Sequence, residues 1–308
     1  MMRKNKLPMF DTPGLQLFIF LIIVLVSLLF VSLAGIVFAI PFFGSNIITE
    51  LGKLGSDDAD LGLMKYFQVV NQMGLFIVPV VLFGYFVMKS NVKFYKLNMA
   101  PDINNFVLVF VLAFSILPII GFLAEWNDGL QLPEMFSSVE EWMRQSEEKA
   151  RKITVELLGE TSLSGLSINM LMIAIIPAFG EELFFRGVLQ QLFEKLFKNS
   201  HIAIIVTAFL FSALHMQFFG FIPRFLLGAL FGYLFLWSKS MWIPIFAHFV
   251  NNGTAVVFSF LAASNTIAIK EEEIGDFNNT TGMIVFSLLL SVSILYYLYN
   301  KRVTYNTN

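Results

Sequence analysis

Cysteine is absent from this chain, and charge is scarce. Without cysteine there is no disulfide framework, no thiolate metal site and no thiol nucleophile. Charged residues make up 14% of the 308 residues and hydrophobic ones 57%, whereas an average soluble domain is about 25% charged. That balance excludes an ordinary soluble domain and describes a polytopic membrane protein whose first partner is the lipid bilayer. A net charge of −2 gives no footprint for nucleic acid. Internal repeats and low-complexity segments are also missing. Histidine occurs three times, so the position of each one is informative.

What is present is a series of about eight hydrophobic segments, each near the roughly 20 residues that cross a bilayer. They cover residues 15–40, 62–88, 103–124, 165–192, 202–219, 222–238, 241–262 and 282–300. The expected fold is all-α, a polytopic membrane helix bundle. The run 15–40 is too long for a cleaved signal and reads as an uncleaved first span. Arg3, Lys4 and Lys6, then Lys89, Lys93 and Lys96, then Lys195, Lys198, Lys239, Lys301 and Arg302 fall on one side. The acids Asp57, Asp58, Asp60, Glu271, Glu272, Glu273 and Asp276 fall on the other. This bias predicts cytoplasmic N- and C-termini in a cell membrane.

The chain reads as a single membrane domain. Residues 1–164 hold three spans and few intramembrane charges, 165–262 hold the polar constellation, and 263–308 hold the last loop and span. Within the long loop 125–164, Val139, Trp142, Met143, Ala150, Ile153 and Leu157 recur near a helical period. They predict an amphipathic extracytoplasmic helix at the membrane surface, with Trp142 at the interface. Ser137 and Glu140 are spaced as a capping box at its start.

Three charges, Glu181, Glu182 and Arg186, end the apolar run from Leu166 to Phe179. Each charge at bilayer depth costs about 2.5–3.5 kcal/mol on insertion scales, so the cluster calls for a reason. Adjacent helical residues point about 100° apart. Glu182 and Arg186 are i and i+4 with the acid first, the better order for an ion pair. Glu182 is therefore expected to pair with Arg186, leaving Glu181 for proton transfer. Pro177 should kink the helix and free a backbone carbonyl. His215 and His248 lie in later hydrophobic segments, and Asn252 shares a helix face with His248. His201 stands beside cytoplasmic lysines and takes no role. Gly228 and Gly232 have the spacing of a close helix contact in lipid. Arg224 reads as an interfacial anchor, or as a partner for an acid or a substrate carboxylate.

In order, Glu181-Glu182-x-x-x-Arg186, Phe211-x-x-x-His215 and His248-x-x-x-Asn252 resemble the three motifs of the CPBP family. These are intramembrane proteases related to type II CAAX prenyl endopeptidase and to bacteriocin-processing (Abi) enzymes. Arg224-Phe225-x-x-Gly228 is similar to the family as well. The resemblance covers about residues 165–262 and implies an eight-helix bundle, from a bacterial cell membrane, that cleaves a membrane-anchored peptide or protein. It implies that Glu181 is the general base and that His215 helps to hold the water. His248 and Asn252 would stabilise the oxyanion or orient the water, and Glu182 and Arg186 would be structural.

A glutamate with two histidines is also a sufficient catalytic zinc set. If the enzyme were a metalloprotease, Glu181, His215 and His248 would be the ligands. The H-E-x-x-H signature is absent, and metal-independent chemistry is slightly preferred. Two other classes stay open: a non-catalytic bacteriocin-immunity or scaffold protein, and a proton-coupled transporter.

Overall fold

A computed structural model of the protein describes residues 12–53, 60–89, 91–264, 266 and 281–306. Among the described residues there are helices and no strands. The long helices are α1 (Pro13–Phe43), α2 (Leu61–Phe86), α3 (Ile103–Asp128), α4 (Ser137–Leu158), α5 (Leu163–Phe197), α6 (Ser200–Ala213), α7 (Phe221–Ser238), α8 (Trp242–Ala263) and α9 (Thr281–Asn306).

Seven of these are long and apolar enough to cross a membrane. Their surfaces are those of a multi-pass membrane protein. On α1, Phe18, Leu25, Phe30 and Phe38 face outward while Gln16 and Ser27 are buried. Such an arrangement suits a lipid surround and would be costly in water.

The expected eighth span is shorter than its hydropathy suggested. The segment 202–219 becomes α6, which has 14 residues and stops at Ala213. It is about 21 Å long against a hydrocarbon core of about 30 Å. Residues 214–220 form a turn instead.

The interfacial helix expected in the long loop is α4. Its capping box does not form: Ser137 already has helical angles, because a tight turn at Glu134–Phe136 precedes it. It therefore cannot serve as the cap. Glu140 instead accepts the Leu132 amide at 2.8 Å and pairs with Arg144. Asp60, Asp102 and Ser162 do cap α2, α3 and α5. Half of the loop charges behind the expected orientation (Arg3, Lys4, Lys6, Asp57, Asp58, Glu271, Glu272, Glu273, Asp276) lie outside the described residues.

The chain divides into two compact units, Met1–Met99 with Phe179–Thr207, and Ala100–Ala178 with Ala208–Asn308. In the first, α1 packs along α2 and the C-terminal part of α5. Its core gathers Ala39, Ile47, Leu63, Phe67 and Val70. In the second, α3, α7, α8 and α9 enclose Val109, Leu112, Phe231, Leu234, Ala247 and Ile294. There Lys301 ties α9 to Asp102 and Asn105 at 2.8 and 3.0 Å.

Candidate active site

The acids belong to the first unit. In α5, wide π-helical segments at Met170–Ile175 and Leu183–Gln190 flank a short α-helical stretch, Ile176–Glu182. Such segments interrupt helices frequently at functional sites. Arg186 donates to Glu182 at 2.8 Å, and both side chains are wholly buried. The i, i+4 pairing expected from the sequence is present. Glu181, also buried, takes a hydrogen bond from the Gln72 amide of α2 at 3.2 Å. Arg186 is within electrostatic reach of Glu181 as well.

The histidines and Asn252 belong to the second unit. His248 is buried in α8, its ring stacked on Phe231 with centroids 5.2 Å apart. Asn252 Nδ2 donates to the Ile173 carbonyl at 3.0 Å and also lies 3.2 Å from His248 Nε2. The carbonyl can only accept, so the amide nitrogen must face it. An amide nitrogen cannot accept, so at the second contact His248 Nε2 accepts. The neutral ring therefore carries its proton on Nδ1. Asn251 donates to Asn252 Oδ1 at 3.1 Å and holds the other end of the amide.

The Ile173 carbonyl lies four residues before Pro177, which has no N–H to give it. The carbonyl expected to be released by that proline is thus the one that Asn252 engages.

His215 stands in the turn just after α6, exposed, and not within a helix as its hydropathy suggested. Its Nδ1 lies 2.7 Å from the Phe211 carbonyl. A carbonyl only accepts, so Nδ1 donates and Nε2 is the basic nitrogen of the neutral ring. The Phe211 ring meets both histidines edge-on, at 5.1 Å from His215 and 6.0 Å from His248. Gly228 allows this packing. A methyl group there would lie 3.1 Å from Phe211 Cδ1 and 3.2 Å from the Ala208 backbone.

Non-helical backbone at membrane depth persists only where protein or water satisfies it. Four side chains serve the 214–222 turn. Asn127 donates to the Phe218 carbonyl and accepts the Ile222 amide, both at 3.1 Å. Ser212 donates to the Phe221 carbonyl at 2.7 Å. Arg224 donates to the Gln217 side chain at 2.5 Å, which makes it a clamp on the turn. Glu147 of α4 faces the Phe218 and Phe219 amides. Burial pushes its carboxyl above the usual range, the two amides pull it partly back, and the charge of Arg224 acts with them. Alongside, Trp142 packs on Phe218 and Arg144 lies 4.3 Å over the Phe219 ring.

Among the described residues, no group of three His, Cys, Asp or Glu side chains is gathered as a metal ion would need. Asn252 also engages the Nε2 lone pair of His248.

Sequence reasoning missed Gln72, Asn127 and Glu147. Gln72 and Asn127 carried a signal, since each is an amide in or at the end of an apolar run. Glu147 carried none, because it is one of several acids on an amphipathic helix.

Comparison with known proteins adds an independent line. Residues 163–254 match the family model described as Type II CAAX prenyl endopeptidase Rce1-like. The chain is 31% identical over 112 residues to the Membrane-embedded CAAX protease MroQ of Staphylococcus aureus (strain USA300), covering 34% of this chain and 44% of that protein. It is 29% identical over 86 residues to the Uncharacterized protein YpbD of Bacillus subtilis (strain 168), covering 27% of this chain and 41% of that protein. Each match spans less than half the length of the relative. No solved structure matches the chain. Gln72, Asn127 and Glu147 lie outside the family match, whereas Glu181, Glu182, Arg186, His215, His248 and Asn252 lie inside it. Residues 163–254, which include the six residues just named, are similar to the Rce1-like type II CAAX prenyl endopeptidase family.

Proposed function

We propose that the protein is an intramembrane endopeptidase that hydrolyses a peptide bond of a membrane-anchored peptide or protein. The observation that carries this reading is the division of labour between two adjacent acids. Glu182 is committed to Arg186 at 2.8 Å, whereas Glu181 is held by a neutral amide. A buried carboxylate without a salt-bridge partner of its own is suited to take and return a proton.

In this reading Glu181 removes a proton from water as the water oxygen attacks the scissile carbonyl carbon. His215 accepts a hydrogen bond from that water through Nε2. The developing oxyanion receives the Nδ1–H of His248, a contribution of the kind worth about 10²–10³ in rate. Both N–H groups of Asn252 are already engaged, so it acts by holding the His248 tautomer. Glu181 then returns its proton to the leaving nitrogen as the C–N bond breaks. The chemistry is metal-independent, and the enzyme works in the cytoplasmic membrane with both termini cytoplasmic. The family match and the membrane protease among the relatives support the reaction class.

The test is cleavage of a quenched fluorescent peptide library by detergent-purified protein, with Glu181→Ala and His215→Ala alongside, each with and without a chelator. Wild type should cleave. Each variant should lose about 100-fold or more, and the chelator should have no effect. Undiminished cleavage by a folded Glu181→Ala protein would overturn the protease reading. Chelator inhibition reversed by zinc would overturn its metal-independent part.

A further inference from the structure

Gln72 is buried at 8% exposure in α2, a helix outside the family-matched segment. Its neighbours Val69, Val70 and Met73 are apolar, and the polar Asn71 beside it is exposed. An unpaired amide in such surroundings costs several kcal/mol, on the order of 2–7. Gln72 spends its amide on Glu181, donating from Nε2 to Oε1 at 3.2 Å across 109 residues of sequence.

The contact is built by packing. A methyl group at Gly180 would lie 3.1 Å from both Ile77 Cγ1 and Phe76 Cβ. The bare glycine thus draws α2 and α5 together one residue before Glu181. Phe76 sets its ring edge-on to Phe184 at 5.2 Å. The π-helical stretch Met73–Ile77 begins immediately after Gln72 and turns the helix at this crossing.

The remaining oxygens of the pair are informative. Gln72 Oε1 and Glu181 Oε2 are buried and accept no hydrogen bond from any described residue. Folded proteins leave few buried acceptors in that state. Here two occur on side chains in mutual contact, one of them the acid that the reaction needs. Glu181 Oε2 asks for a donor, which the reacting water supplies through one O–H.

We propose that Gln72 is a positioning residue for Glu181. Its N–H holds one carboxylate oxygen in place. The other carboxylate oxygen is thereby left for the water that Glu181 deprotonates. This rests on the protease reading above. A glutamine kept only for packing would have no effect on turnover once its volume was preserved.

The experiment compares wild type, Gln72→Met and Gln72→Glu on a peptide cleaved from the library. Met keeps the length and removes both hydrogen-bonding groups, and Glu keeps the shape and replaces the donor. Both variants should lower kcat by about 10- to 100-fold, the usual effect of losing a residue that orients a ligand or catalyst. KM should stay within about twofold of wild type. In a Glu181→Gln background, Gln72→Met should cause no further loss, because the two residues act as a unit. Either variant folded with wild-type kcat overturns the proposal, as does an additive loss in the Glu181→Gln background.

A second readout needs no substrate. The carboxyl infrared band of Glu181, identified by subtracting the Glu181→Gln spectrum, should shift in Gln72→Met. An unshifted band overturns the contact. If wild type cleaves nothing, or Glu181→Ala cleaves as well as wild type, the protease reading fails. The infrared band then decides on its own whether Gln72 holds Glu181.

Discussion

Asn252 donates a hydrogen bond to the backbone carbonyl of Ile173 at 3.0 Å, and that carbonyl lacks an i+4 helical donor because Pro177 stands four residues on. The same amide nitrogen contacts His248 Nε2 at 3.2 Å. One side chain therefore repairs a broken helix and fixes the tautomer of a buried histidine.

Two effects of Asn252→Ala are expected, and they are separable. The orphaned carbonyl should cost about 1–3 kcal/mol of stability. Loss of the fixed tautomer should lower kcat by about 10–100-fold. Pro177→Ala restores a backbone N–H near Ile173, so the stability cost of Asn252→Ala should shrink in that background while the kcat loss remains. Thermal melting in detergent and peptide cleavage on the four proteins of this cycle check it. An unchanged stability cost in the Pro177→Ala background would show that the carbonyl is satisfied in another way.

The buried pair Glu182–Arg186 should behave as structure. Removing one partner leaves a buried charge, so Arg186→Met is expected to destabilise the fold by about 3–5 kcal/mol. Replacing both, as Glu182→Gln with Arg186→Met, should recover most of that cost. Melting curves of the two singles and the double decide it. If Arg186→Met melts like wild type and only turnover falls, the pair serves the chemistry instead.

Much of this was legible in the sequence, and for definite reasons. Glu182 and Arg186 are one turn apart, so local spacing was enough to pair them. The carbonyl freed by Pro177 follows from a missing N–H. Gly228 was readable as a packing residue, although its contact, Phe211, was not. What escaped depends on residues remote in sequence. Gln72 reaches Glu181 across 109 residues. The end of α6 was misplaced because Leu214 to Phe219 are still mostly apolar. What holds them out of helical form is Met216 in the left-handed region, at φ 53°, together with Asn127, Arg224 and Glu147. No local pattern reports such partners.

Gly228→Ala tests whether the α6–α7 contact positions His215. The added methyl group would press on Phe211 Cδ1 at 3.1 Å and on the Ala208 backbone at 3.2 Å. Overpacking of this kind costs about 1–3 kcal/mol. Because the Phe211 carbonyl holds His215 Nδ1, kcat should fall as well. Gly282→Ala is the control, since nothing lies within 4 Å of a methyl group there. Equal behaviour of the two variants would remove Gly228 from the argument.

Glu147 should make the clamp on the 214–222 turn sensitive to pH. Burial is the largest influence on its carboxyl and raises it above the ordinary value, against the opposing amides of Phe218 and Phe219 and the charge of Arg224. Asp128, the nearby acid, acts in the same direction as burial. With α4 docked, Glu147 keeps its proton to higher pH than with α4 released. Protons bound in the docked state then exceed those in the released state, so docking weakens as pH rises above the ordinary glutamate range. Below that range both states are protonated and the dependence vanishes. Hydrogen exchange of the 214–222 amides, corrected for the intrinsic effect of pH, should therefore show protection falling as pH is raised. Glu147→Gln keeps the shape without the charge, and its protection should stay level over the same interval. A wild-type profile as flat as that of Glu147→Gln would mean that α4 holds the turn through Trp142 and Arg144 alone.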